Sequence, residues 1–438
     1  MLTRSRRGAV ASATIKALGP AGGPAPGRTW AGGGRGRPVA ARAWHDEPEG
    51  CAGVTQEHPV VAALVAAVGG RPVVDRAALA RVPVAEALAV AEAHRLGSAL
   101  LRSLADDDAA PPPLVEALRA ARTAQVVAHL TTLADLRTLG AVLDGGQVPW
   151  AVVKGPAAAA TFWPAADMRD YRDLDVVVDP ARFGEVLDLL LDAGAQQLDL
   201  NWGLVRRQMR SELTFVLPRG TLLDLHWHPV NESSVRRRFD WAVPAVLERR
   251  VPVSLGSVTV PTFDPVDAAL HMAYHAVVSG GYRLLWLADV AYSTAAVARA
   301  GRLDELVARA EAARLDVVVR VALERVARVL DQGLRPAWSG ARGAVWRAVV
   351  RARDGRYGRG GAVARGHLER GTGRLLLGST RGSTAASAWT LGAGAAGHAW
   401  RALARVQDPE ENPLHRPDGD LRARAEYLAA VARTHPNG

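Results

Sequence analysis

Residues 173–178 read Asp173-Leu174-Asp175-Val176-Val177-Val178, and this stretch decides the fold. An apolar, β-branched run of this length is a buried strand. In a strand, alternate side chains share a face, so Asp173 and Asp175 point one way and Leu174 and Val176 the other. Two carboxylates side by side repel each other, and the pair is costly unless a cation lies between them. A second apolar strand, Thr221–Trp227, carries Asp224 in its middle. If it neighbours the first, three carboxylates converge. Such hard oxygen ligands suit a pair of Mg²⁺ ions, with substrate phosphates and water completing the shells. The plainer readings are an Asp-x-Asp at a strand end, and an Asp224 that is merely paired with a nearby arginine such as Arg219.

Upstream, Val148–Val153 is a short apolar run that ends at Lys154-Gly155. It reads as a buried strand followed by a turn. Gly155 allows close backbone approach, and the helix expected at Pro156–Phe162 offers amide donors to a phosphate. Pro156 lacks one of those donors, and Lys154 could supply the missing positive charge. Arg169 and Arg172 stand just before the Asp pair and could clamp phosphate oxygens.

Further outward, residues 1–55 form a Gly/Pro/Arg-rich leader, expected to be disordered rather than a targeting signal. Residues 56–146 read as helices, with Leu130, Leu133, Leu136, Leu139 and Val142 at helical spacing after Pro111-Pro112-Pro113. Residues 147–262 form the α/β core. After Asp173–Val178 it has a helix from about Ala181 to Ala193, a hairpin of Leu213–Leu217 with Leu222–Trp227, and a second hairpin at Val251–Pro261 turning at Gly256. Residues 263–334 return to helices at 266–278, 282–298 and 303–330. Residues 335–405 are low-complexity and rich in Arg, Gly and Ala. Residues 406–438 form a tail with one short helix from Asp420 to Arg433. The expected class is α+β: a small mixed sheet flanked by N-terminal and C-terminal helical regions.

Composition narrows the function. The 438 residues carry a formal charge of +10. Residues 1–50 hold +5 and residues 335–405 hold +11, so the remainder sums to −6. The basicity belongs to the flanks, and an acidic middle disfavours a long nucleic acid at the site. RNA contact through Arg353–Arg374 is the remaining basic possibility. The single cysteine, Cys51, excludes a disulfide framework and multi-Cys metal sites. This fits a reducing cytoplasm, and no stretch of ~20 apolar residues suggests a membrane span. Only two lysines, Lys16 and Lys154, stand against 52 arginines. Lys and Arg are not interchangeable as point charges, which singles out Lys154.

In order, these motifs are Lys154-Gly155, Arg169, Asp173-Leu174-Asp175, Asp224-Leu225-His226-Trp227, Leu270-His271 with His275, and Trp286-Leu287 with Asp289. Over roughly residues 115–330 this pattern resembles an incompletely characterised bacterial nucleotidyltransferase family of the polymerase-beta-like superfamily. The resemblance implies that Asp173, Asp175 and Asp224 bind Mg²⁺ or Mn²⁺ and carry catalysis. It also implies an NTP as substrate and an NMP group moved to an acceptor hydroxyl. Lys154, Gly155, Arg169, Arg172 and His226 are the expected nucleotide-binding residues, with Asp224 a candidate base. The superfamily favours Gly-Gly or Gly-Ser where Lys154-Gly155-Pro156 stands, which makes Lys154 a substitute for part of the backbone cradle. A small molecule or peptide is the favoured acceptor over an RNA end.

Two rival readings remain open on sequence. One is a non-catalytic nucleotide-binding or toxin–antitoxin-like module. The other is a zinc hydrolase built on His226, His271 and His275, since His271 and His275 lie at i and i+4 on one helix face. Structural roles are the first expectation for the histidines. Asp289, set among leucines, is expected in a buried pair with His275 or Arg283. Trp163, Trp227 and Trp286 are expected in the core rather than stacked on a base.

Overall fold

In the computed structural model, residues 58–330 and 412–434 are described, apart from 74, 106–108 and 282. The leader, the 335–405 region and its Arg353–Arg374 tract lie outside the described residues.

Five helices come first: α1 (Pro59–Val68), α2 (Arg76–Arg81), α3 (Val84–His94), α4 (Gly97–Leu104) and α5 (Pro112–Gly145). Proline opens α5, where a missing amide is harmless, and Gly145-Gly146 closes it. The expected leucine stripe holds only in its second half. Leu136, Leu139 and Leu143 are buried, whereas Val127 and Leu130 are each 60% exposed. By length and composition α5 is apolar enough to cross a membrane, with a window hydropathy of 1.3. The expectation that no segment reaches that level therefore fails for this helix. A partly buried core helix passes the same test.

The mixed region follows as β1 (Trp150–Val153), α6 (Gly155–Phe162), β2 (Asp173–Val178), α7 (Phe183–Asp192), β3 (Gln196–Gln197), α8 (Trp202–Gln208), β4 (Glu212–Val216) and β5 (Leu222–His226). Then come α9 (Ser233–Arg236), α10 (Val243–Glu248), β6 (Val251–Leu255) and β7 (Val258–Thr262). The strands form one sheet in the order β3-β4-β5-β2-β1-β7-β6. Both expected hairpins are present, β4 with β5 and β6 with β7. The central contacts are not hairpins: β2 runs parallel to β5, antiparallel to β1, and β1 runs parallel to β7.

Each face of the sheet has its own core. Leu174, Val176 and Val178 of β2, with Leu223 and Leu225 of β5, pack with α7 and the second half of α5. Ala151, Val153 and Val177 face the opposite core, made by the helices before and after the sheet. Burying such a side chain contributes roughly 1.5–3 kcal/mol. A one-residue slip of β2 would bring its acids to the wrong face, so burial fixes the register.

The C-terminal helices are α11 (Pro265–Val278), α12 (Leu284–Arg299), α13 (Leu303–Ala312) and α14 (Asp316–Val329). The expected continuous helix over 303–330 is two. Arg314, with φ +59°, reverses the chain between them, and Ala310 accepts from Leu315 to close α13. No glycine or proline marks the break.

A last helix, α15 (Leu421–Ala432), starts where Asp420 accepts from the Ala423 amide. It packs on the far side of the sheet. Tyr427 is fully buried there, accepting from the Trp227 indole (2.8 Å) and donating to the Arg210 carbonyl (2.7 Å). Trp227 directly follows β5, so α15 steadies the strand that carries Asp224.

Candidate active site

The sheet register assembles the acids. Asp175 of β2 stands directly opposite Asp224 of β5, and Asp173 lies two residues before Asp175. Neighbouring strands are about 4.8 Å apart, and in-register side chains share a face. All three carboxylates therefore lie on the face that carries Val177, beneath α11 and α12. Thr214 of β4 sits opposite Asp224 and donates to its Oδ1 at 3.1 Å. One step along, Glu212 sits opposite His226.

Lys154 and His226 converge on the same carboxylate. Lys154 Nζ lies 2.6 Å from Asp175 Oδ1, and His226 Nε2 lies 3.2 Å from that oxygen. His226 Nδ1 lies 3.7 Å from Glu212 Oε2. Burial disfavours the charged form of each group, but the mutual attraction outweighs it. Asp175 is held well below the usual carboxylate range, and Lys154 and His226 are both raised. Among the described residues Asp224 is not in an ion pair, and the charge of His226 only partly offsets what raises it. Burial, then the charges of Glu212 and Asp175, push it up to about 7. Two carboxylates in one register position thus have opposite behaviour, a pattern found where acid and base roles divide.

The backbone at the β1–α6 junction is unusual. Lys154 has φ +57° and ψ −148°, a region that a residue with a side chain adopts at a cost of roughly 1–3 kcal/mol. Gly155 follows at φ +44°, and a Cβ there would come within 3.5 Å of the Asp173 carbonyl. This turn presses α6 against the start of β2 and aims Lys154 at the acids.

Arg169, an expected nucleotide contact, has protein partners in the structure. It is buried, and its Nε and Nη2 donate to Asp289 Oδ1 and Oδ2, both at 2.8 Å. Its Nη1 donates to the Gly155 carbonyl at 3.3 Å. A guanidinium committed in this way anchors the Lys154-Gly155 turn to α12. Asp289 also accepts from the Trp163 indole at 2.8 Å. Its partners are therefore Arg169 and Trp163, not His275 or Arg283. Arg172 lies on the surface and pairs with Glu92 of α3. The arginine that reaches the acids is Arg95, with Nη1 4.0 Å from Asp173 Oδ1. Beside it, a cavity of about 500 Å³ opens between α3, α4, α5 and residues 170–172, with Arg95, Gln125, Tyr171 and Arg172 on its wall.

The zinc alternative has no geometric support. His271 packs edge-on to Trp241 and near Phe263, and His275 packs edge-on to Trp286. Among the described residues no three His, Cys, Asp or Glu side chains converge closely enough to hold an ion as they stand. That statement also covers the three aspartates. In kind, however, the aspartates fit a hard divalent cation: carboxylate oxygens gathered on one face of two adjoining strands.

Burial keeps His94 near a pKa of about 4, and His228 and His271 near about 3. The unfolded chain titrates these groups near 6.5. Below that pH it takes up protons that the folded state refuses, so the contribution of these three histidines to stability is full above pH 6.5 and falls as the pH drops towards 4. At pH 5 each histidine contributes a slope of up to about 1.4 kcal/mol per pH unit. Urea midpoints measured at pH 7.5 and pH 5 should show a steep loss, and equal midpoints would contradict the buried neutral histidines.

Residues 81–331 match a family described as uncharacterised nucleotidyltransferase. No curated protein matches the chain. The match begins earlier than the motif resemblance and takes in α3, α4, all of the sheet and the helices to α14; α1 and α15 lie outside it. Since the match spans more than half the chain, the protein belongs to this nucleotidyltransferase family.

Proposed function

We propose that the protein moves an NMP group from an NTP to a hydroxyl of a small acceptor, with Mg²⁺ or Mn²⁺ held by Asp173, Asp175 and Asp224. The observation that carries this reading is the in-register placement of Asp175 beside Asp224, with Asp173 on the same face. When bound, the cation lowers the pKa of the attacking hydroxyl and screens the phosphate charges. The acceptor oxygen attacks the α-phosphorus as the bond to the β-phosphate oxygen breaks, and pyrophosphate leaves in line. Asp224 is also placed to take the hydroxyl proton as a base. Lys154 provides positive charge for the triphosphate, and Gly155 lets the phosphates approach the backbone. The cavity beside Asp173 is of a size that takes a small molecule, and Arg95 stands where its wall meets that aspartate.

The test is product analysis. With each NTP and Mg²⁺, in the presence of a metabolite extract as acceptor source, pyrophosphate should be released and chelation should stop it. Release of inorganic phosphate alone would point to a hydrolase and against this reading.

A further inference from the structure

We propose that Lys154 is the resting counter-ion of Asp175, which keeps divalent cations off that carboxylate until a nucleoside triphosphate draws the ammonium onto its phosphates. The inference rests on the nucleotidyltransferase reading and adds an order of binding to it: metal enters with the nucleotide, not before it.

The contact is close and enclosed. Nζ lies 2.6 Å from Oδ1, and the two side chains are only 13% and 7% exposed. A cation approaching Asp175 meets a positive charge already seated on the oxygen it needs. Like charges at ~4 Å repel strongly at the effective dielectric of a protein site. His226 holds the same oxygen at 3.2 Å but lies in the sheet plane on β5, fixed by its strand. Lys154 differs because it sits at a strand–helix junction on a four-carbon stem, and an ammonium is a point charge that can change partners.

The neighbouring pair shows the contrast. Arg169 and Asp289 meet through two parallel hydrogen bonds at 2.8 Å, a fork that fixes both groups. In a chain with 52 arginines, the long cationic side chain that joins His226 on Asp175 is a lysine. A guanidinium at that point would close on the carboxylate in two-point fashion. The strained backbone at φ +57° keeps the lysine stem on the acid face, so the ammonium stays within the site when it leaves Asp175.

The test is Mn²⁺ binding by the full chain, read from the electron paramagnetic resonance signal of free Mn²⁺, with and without α,β-methylene-ATP, which cannot undergo transfer at the α-phosphorus. Wild type should bind Mn²⁺ poorly alone and well with the analogue. Lys154→Met should bind Mn²⁺ alone at least about tenfold more tightly than wild type, and Mn²⁺ should raise its melting temperature but not that of nucleotide-free wild type. Lys154→Arg, which keeps the charge, should exclude Mn²⁺ as wild type does. Should Lys154→Met fail to fold, Lys154→Gln makes the same comparison. The proposal is overturned if the neutral variants bind Mn²⁺ no better than wild type, or if wild type binds it equally well without the analogue. If wild type binds no Mn²⁺ even with the analogue, the nucleotidyltransferase reading falls, and the proposal with it.

Discussion

Asp224→Asn is expected to reduce NMP transfer by roughly 10²–10⁴-fold, the range lost when a positioned acid–base group is removed, while the protein folds at least as stably as wild type at pH 8. The two halves of this result have one cause. Burial and the charges of Glu212 and Asp175 raise Asp224 to about 7 from an ordinary value of 3.8. Its folded form therefore holds a proton more tightly than the unfolded chain does. The contribution of Asp224 to stability falls as the pH rises from about 4 to about 7, and above 7 the site carries a carboxylate that the fold disfavours. Asparagine removes that charge, and its carbonyl oxygen can still accept from Thr214 Oγ1 as Asp224 does at 3.1 Å. Paired measurements of transfer rate and urea midpoint at pH 8 check both halves. A variant that loses activity only because it unfolds would assign Asp224 a structural role.

Asp289→Ala should act the opposite way, through stability first. It strips Arg169 of both carboxylate bonds and leaves a guanidinium buried at 6% exposure, with the Trp163 indole also unpaired. Breaking a buried pair in this way typically costs about 3–5 kcal/mol. That is a large part of the 5–15 kcal/mol that holds a typical domain. The Lys154-Gly155 turn loses its anchor as well, because Arg169 Nη1 holds the Gly155 carbonyl. The urea midpoint should fall by an amount in that range, and Asp289→Asn should fall less. A loss below ~1 kcal/mol for the alanine variant would contradict the anchoring role.

These two residues also show how far the sequence could be read. Asp173 and Asp175 announced themselves, because period-two alternation in a buried strand leaves acids with no ordinary reason to be there. Asp224 stood out in the same way. Their meeting is only conditional on sequence, since nothing local says that β5 lies parallel to β2 across the intervening α7, β3, α8 and β4. Glu212 was missed for the same reason: it joins the site only through its register with His226. An arginine four residues before an acid pair reads as a phosphate clamp, and nothing local reveals the partner that Arg169 has in the fold. Its partner lies 120 residues away on α12. The long helix expected at 303–330 hid a break at Arg314, a residue type that seldom adopts positive φ. The α+β class and both hairpins needed only local signals, and the structure has them.

Full-length protein incubated with α-³²P-labelled NTPs, Mg²⁺ and a lysate fraction tests most directly whether these carboxylates carry nucleotidyl transfer. Wild type should place label on an acceptor with release of unlabelled pyrophosphate, and Asp173→Asn/Asp175→Asn should place none. Equal labelling by the two proteins would show that the acids on this face of the sheet are not the catalytic centre.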